Sequence, residues 1–523
     1  MKRLSFLLVI IFITITSCFQ NNTTTPTPTS KSSIQTPQNL NGIPDPAISP
    51  AGTSNPTAYN HTVTISLSTP ATRSVMHYTP VSTAPTCARA IYSAAFTVTG
   101  SNETKTVKAV ACDTNGLMSV VTSAAFWFGD WETIANLSMS SSGQTSISTM
   151  TIYNNTPYLL YTTTGQDLQL KKYDGSSWIN VGPIIGKAAQ APWSFHEKNL
   201  SLVIDNSGKI YVAYSDNTSP YRGTVVKRYD AVNSQWISLG STTSCMEVEY
   251  QNISCSPQDG LLLSQESDGN IYLVASLAGN HTKQIFKYAG DTCTPTASDS
   301  CWLRLGPGIL TTQEWDTAQL HLYNGDLYVG YSKTEQSFLN INKYDGNNNG
   351  CNVNVQYPHP TDPICWSSQT VSSNPTIINN GFSRFYTGAW DPSQLTYYML
   401  SNALGGVTDA SVKKYDSGTV SSVGGTLTIS DDKLELTVSS DHTPYILTKP
   451  NAASVLVSRY KGDTCTSGPT ESCWLTLGSP IQTASFILLP QLIVTDSNTI
   501  YALFMDGFGS AKSVKVMRFG PGN

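Results

Sequence analysis

The residues of this chain whose types and grouping could do chemistry fall in three places: Trp193, His196 and Glu197; Tyr221 and Arg222; and Glu314, Trp315 and Asp316. Two carboxylates drawn from Glu197, Glu314 and Asp316 could act as acid and base on a glycosidic bond, given a suitable separation. Flat aromatic rings beside hydrogen-bonding groups suit a sugar face, and equally a protein hot spot. For any one of these residues, packing inside its own loop is the plain alternative. No HExxH, GxSxG or phosphate-cradling glycine loop occurs. The histidines (His61, His77, His196, His281, His321, His359 and His442) are scattered without metal-ligand spacing. No catalytic set, metal site or cofactor is therefore expected, and the grouping reads as a binding surface.

Cysteines carry the second chemical signal. Beyond Cys18 they fall into near neighbours: Cys87 with Cys112, Cys245 with Cys255, Cys293 with Cys301, Cys351 with Cys365, and Cys465 with Cys473. An even count without CxxC spacing or adjacent histidine points to disulfides and an oxidising compartment, with neighbour pairing one of many possible connectivities. Only 12% of residues are charged and the net charge is −5. That balance gives no basis for nucleic-acid capture, and a monomer is expected.

The elements that must position these residues repeat. A basic residue followed by an aromatic one recurs at Lys172-Tyr173, Arg228-Tyr229, Lys287-Tyr288, Lys343-Tyr344, Lys414-Tyr415, Arg459-Tyr460 and Arg518-Phe519. A strand-like run bearing Tyr158, Tyr211, Tyr272, Tyr328, Tyr397, Tyr445 or Tyr501 lies 15 to 18 residues before each aromatic. Downstream comes Trp-x-x-apolar-Gly, as in Trp178 to Gly182, Trp236 to Gly240, Trp302 to Gly306 and Trp474 to Gly478; Trp131 and Trp366 lack the Gly, and Val420 to Gly424 lacks the Trp. A further run, such as Leu200 to Ile204, precedes each Tyr strand. Four short strands per unit, seven times over, predict an all-β, seven-bladed β-propeller across 129–523. The count is six if the irregular unit from Trp366 to Tyr415 is misdivided.

The last unit stops after its third strand at Phe519, while an orphan strand, Asp130 to Ile134, precedes the first. Pairing the two would close the ring and hide its sheet edges. Recurring Tyr and Trp are expected to fill the wedges between blades. Asp-Gly and Asn-Gly turns read as hairpins, lacking the alternating carboxylates of a calcium loop. Connections such as 183–198, 241–258 and 307–317 vary most, and loops of that kind on a rigid scaffold are where binding concentrates. In propellers they share one face with the second-to-third-strand turns, and together these loops carry the residues named above, Tyr221 and Arg222 included. Cys245 and Cys255 would stiffen that face, whereas the three later pairs would staple third-to-fourth-strand hairpins on the opposite rim. No sialidase-type Asp-box, Kelch Gly-Gly or WD-repeat signature recurs.

Met1-Lys2-Arg3 and the apolar run Leu4 to Ile15 have the form of an export signal, too short to span a bilayer. The run ends in Ile15-Thr16-Ser17-Cys18, which resembles the lipobox of bacterial lipoproteins. That resemblance implies cleavage after residue 17 and acyl chains on Cys18, a stable membrane anchor. Phe19, in place of the Asp tied in some bacteria to inner-membrane retention, hints at the outer membrane. Residues 18–42, rich in Thr, Pro, Ser and Asn, read as a disordered tether.

Residues 43–128 alternate apolar and polar in short runs (Val63 to Leu67, Ala95 to Val98, Thr106 to Val110), the pattern of a small β-sandwich. Ile48-Ser49-Pro50, His77-Tyr78-Thr79, Ala84-Pro85-Thr86, Tyr92, Val107 to Ala111 and Ser119 resemble the chitobiase/β-hexosaminidase C-terminal type of domain. The resemblance implies a fibronectin-III-like module, acting as spacer or as sugar binder. The whole reads as an extracytoplasmic lipoprotein that binds glycan or protein. A carbohydrate-active enzyme (glycosidase or lyase) is the second reading, and a structural envelope protein the third.

Overall fold

The computed structural model describes residues 42–139, 148–188, 200–239, 261–291, 301–345, 365–368, 383–462 and 473–520, less shorter stretches within them that include 51–58, 217–222 and 311–317. Every described element is a strand; no helix occurs among the described residues. Among the described residues, six sheets each run four antiparallel strands in chain order, three of them with a short fifth strand, and a seventh group, Ile487–Val494, Ile500–Asp506 and Ser513–Gly520, continues onto the upstream strand Thr122–Ser138. Their first strands are Ser148–Tyr153, Leu200–Ile204, Leu262–Gln265, Ala318–Tyr323, Ser383–Trp390, Glu435–Val438 and Ile487–Val494. These touch one another in cyclic order, and Ile487–Val494 returns to Ser148–Tyr153. The arrangement is propeller-like.

The core is a set of wedges between sheets. Leu160, Leu168 and Leu170 of one sheet pack on Leu200, Leu202 and Val212 of the next. The same holds at each junction round to the last, where Leu447 and Val457 meet Ile487, Ala502 and Phe504. Second strands lie between two such wedges, and so are mostly buried on both faces rather than alternating. Ile500–Asp506 is buried at every position. Each fully buried Leu or Phe contributes about 1.5–3 kcal/mol.

The basic–aromatic repeat acquires a physical reason. In register, third-strand aromatics face the fourth-strand Trp: Tyr173 faces Trp178, Tyr229 faces Trp236, Tyr288 faces Trp302, and Tyr344 faces Trp366, while Tyr415 faces Val420 where the Trp is missing. Ring centroids are 5.1–5.5 Å apart in the tilted pairs Tyr229–Trp236 and Tyr460–Trp474 and their equivalents. The indole then reaches the preceding sheet: Trp178 Nε1 donates to the Ile134 carbonyl at 2.7 Å, and Trp366 Nε1 to that of Leu305 at 3.1 Å. The Gly of the Trp-x-x-apolar-Gly pattern sits beneath the next sheet's aromatic. A Cβ on Gly182 would stand 2.5 Å from the Tyr229 ring. The basic residue pairs across to a second-strand Tyr, as Arg228 does with Tyr211. In the irregular unit that Tyr is Tyr398, opposite Lys414, not the expected Tyr397, which faces Tyr415.

The expected orphan strand is no separate element. Thr122–Ser138 is one strand of 17 residues. Its second half pairs with Ser513–Gly520, Trp131 opposite Phe519 and Asp130 opposite Gly520. Its first half pairs with Glu103–Cys112. The boundary expected at 128/129 therefore falls inside a continuous strand. Upstream, Ala47–Ser49, Thr62–Ser68 and Phe96–Thr99 form a three-stranded sheet. It shares one core (Val63, Ile65, Leu67, Val107, Phe126, Phe128) with the sheet of Val75–Thr79, Glu103–Cys112 and Thr122–Phe128. Cys87 and Cys112 form a disulfide across this region.

Candidate functional site

Trp193, His196, Glu197, Tyr221, Arg222, Glu314, Trp315 and Asp316 all lie outside the described residues, as do Cys18, Cys245, Cys255, Cys293, Cys351 and Cys465. The strand ends that carry the first group are described. Ala188, where the segment 189–199 begins, bridges Asp216, where 217–222 begins. The anchor points of two of the three groups are therefore adjacent. The third group follows Ile309–Leu310, which pairs with Thr282 and Lys283 beside the turn between that sheet's second and third strands. It ends at Ala318, the start of a first strand. All three segments thus spring from the same end of the sheets.

Beneath that end lies a layer of buried polar groups: Thr162, Ser215, Thr224, Lys283, Lys449 and Asp506. Lys227 shows how such a layer is built. Its Nζ donates to the Ile185 carbonyl at 2.6 Å and sits 5.9 Å from the centre of the Tyr214 ring. Burial pushes its ammonium below the usual lysine range, with Asp216 opposing the shift. Asp506 is held by Lys515 and accepts from Ala484 N.

The opposite end carries a group that spacing alone does not reveal. Asp391, at 0% exposure, accepts from His442 Nδ1 through Oδ1 at 3.0 Å and Oδ2 at 2.9 Å. Asp391 closes the first hairpin of one sheet and His442 that of the next, 51 residues on. His442 adopts φ +67°, uncommon for a residue with a side chain. His321 of the preceding sheet stacks on Trp390, rings 5.0 Å apart and 16° from parallel. Burial holds the His321 imidazole below its usual range. The arrangement joins three neighbouring first strands. Similar ties recur elsewhere round the ring: Ser201 Oγ accepts from Leu263 N, Glu266 Oε2 from Leu322 N, and Gln491 bonds both N and O of Met150. Among the described residues, no cluster of three or more His, Cys, Asp or Glu could hold a metal ion.

Of the remaining expected cysteine bridges, Cys301, Cys365 and Cys473 are each disulfide-bonded. The turn Asp205–Gly208 is a hairpin in which Asp205 Oδ1 accepts from Ser207 N and Lys209 N.

No known protein family matches the chain, and no curated protein matches it. Solved structures do. It is similar to the polysaccharide lyase Uly1, with 12% identity and a TM-score of 0.41 over 73% of this chain and 90% of that one. It is similar also to the SapL1 lectin in complex with α-methyl fucoside, with 11% identity and a TM-score of 0.37 over 65% and 96%. A third is the GH93 α-L-arabinofuranosidase of Fusarium graminearum with arabinobiose, at 11% identity and a TM-score of 0.38 over 65% and 96%.

Proposed function

We propose that this protein is a lipid-anchored, extracytoplasmic binding protein. In this reading Cys18 carries the acyl chains, residues 18–42 are the tether, and 43–128 form a β-sandwich of chitobiase C-terminal-like type. Residues 129–523 form a seven-bladed β-propeller closed by the strand through Trp131, and Cys301, Cys365 and Cys473 pair with Cys293, Cys351 and Cys465. The anchor is in the outer membrane. A glycan or protein ligand is taken by Trp193, His196, Glu197, Tyr221, Arg222, Glu314, Trp315 and Asp316.

The observation that supports the binding face is the bridge between Ala188 and Asp216. It draws the bases of two variable loops to one point on a scaffold whose first strands are tied side to side, the setting in which loop residues are best preorganised. The cyclic contact of the first strands supports seven blades. The shared core of the two upstream sheets supports the sandwich.

The test is a screen of the detergent-solubilised full chain on glycan and matrix-protein arrays, alongside a polysaccharide depolymerisation assay. Binding without turnover, weakened at least about tenfold by Trp193→Ala or Trp315→Ala, is expected, a loss of about 1.4 kcal/mol or more. Depolymerisation abolished by Glu197→Gln, Glu314→Gln or Asp316→Asn would overturn this reading in favour of an enzyme.

A further inference from the structure

Among the described residues, large exposed apolar side chains are densest in the upstream module, with Ile179, Ile184, Val232 and Leu303 scattered over the remainder. Val75 is 45% exposed, Ile91 61%, Leu117 49% and Val120 44%. The register brings them together. Val75 lies opposite Cys112, which bridges Met118, the neighbour of Leu117; Ile91 bridges His77, two residues along from Val75. Exposed Arg73 and Arg89 flank Val75 and Ile91. Of the nearby carboxylates, Asp113 accepts from Asn115 N and Leu117 N, and Asp45 accepts from Val120 N at 3.0 Å.

Two further facts say what covers this patch. The chain that precedes the described residues emerges beside it, since Asp45 binds Val120 N and the Pro46 carbonyl accepts from Thr122 Oγ1 at 2.8 Å. The patch also stands at the end of the module remote from the seven sheets. Val120 precedes Thr122, the first residue of the strand that reaches Trp131, about 30 Å further on at ~3.3 Å per residue. Resting on the lipid-anchor reading above, a tether of residues 19–41 has a root-mean-square span of about 27 Å. A tether of that reach allows its exit point to meet the bilayer surface. From these facts we infer that the tip formed by Val75, Ile91, Leu117 and Val120 docks on the membrane interface. Apolar side chains enter the headgroup boundary there and the flanking arginines remain at its surface. The module is then a foot that sets the sheets upright, rather than a passive spacer.

The experiment uses the full chain on vesicles whose phosphatidylcholine acyl chains are brominated, with Leu117→Trp as probe and Val232→Trp as control. Val232 is 92% exposed on a hairpin of the seven-sheet region. Vesicle flotation reports the anchor. Flotation of both variants, with the added emission of Leu117→Trp blue-shifted and mostly quenched and that of Val232→Trp unchanged, is the expected result. Flotation with the two probes behaving alike would overturn the docking while leaving the anchor standing. Absence of flotation would remove the anchor and the docking with it. A blue shift without vesicles that grows with protein concentration would assign the patch to a second copy of the chain, and overturn the proposal.

Discussion

A single methyl group measures how tightly the sheet before Ile487–Val494 packs on the pairing of Trp131 with Phe519. Gly478 follows a fourth strand, at φ +67°, and its absent Cβ leaves room for the neighbouring sheet. A methyl there would stand 2.8 Å from Trp131 Cδ1, 3.0 Å from Asp130 Oδ1 and 3.1 Å from Phe519 Cε2. None of the three can retreat freely. Trp131 Nε1 donates to the Leu477 carbonyl at 2.7 Å, Asp130 Oδ1 accepts from Ser479 N, and Phe519 is buried. Gly478→Ala therefore carries two costs. The left-handed backbone costs about 1–2 kcal/mol, and overpacking against the latch about 1–3 kcal/mol. Gly269, at φ +77° with nothing within 4 Å, carries only the first. Subtracting Gly269→Ala from Gly478→Ala isolates the contact between sheets. Urea unfolding followed by tryptophan fluorescence should place Gly478→Ala about 1–3 kcal/mol below Gly269→Ala. Equal losses for the two variants would refute the idea that the last and first elements are locked together by this wedge.

Other consequences follow from the same contacts. Trp131→Phe keeps the ring on Phe519 but leaves the Leu477 carbonyl without its donor; it should cost about 1–3 kcal/mol, whereas Trp131→Ala should cost about 3–5 kcal/mol in the same assay. Replacing Cys87 and Cys112 together by Ala opens a loop with a sequence separation of 25 and should lower the stability of the upstream module by about 3 kcal/mol, read as earlier proteolysis in urea. Burial raises the Glu266 carboxyl above its ordinary range, so its ionised form is penalised in the folded state. That penalty is absent below the unfolded range, near pH 4, and grows as pH rises through the raised value. Glu266→Gln should accordingly be more stable than the parent at pH 7 and lose that advantage near pH 4; a pH-independent difference would contradict the burial argument.

The repeated elements are legible in sequence because every junction has the same wedge to fill. Tyr288 and Trp302, or Tyr460 and Trp474, recur as pairs since each Trp stacks on the aromatic of its own sheet at the junction with the preceding one. What depends on register between sheets is not legible. Asp391 and His442 are 51 residues apart, and nothing in either stretch advertises the other. The signal that could find them is their equivalent position in consecutive hairpins. Gly129 is another case: it lies within a strand, and the ring of Phe519, far off in sequence, occupies the space a Cβ would need. The aromatic and acidic residues of 189–199, 217–222 and 311–317 gain shared anchor points from the structure, through Ala188, Asp216 and Ile309–Leu310.

The unbroken run Thr122–Ser138 has a mechanical consequence. A pull entering at residue 122 travels along the strand axis into the pairing between Asp130–Ser138 and Ser513–Gly520. Antiparallel backbone bonds lie across that axis, so all of them strain together in shear instead of opening one after another. A load that would unzip a terminal hairpin is shared here along the seam.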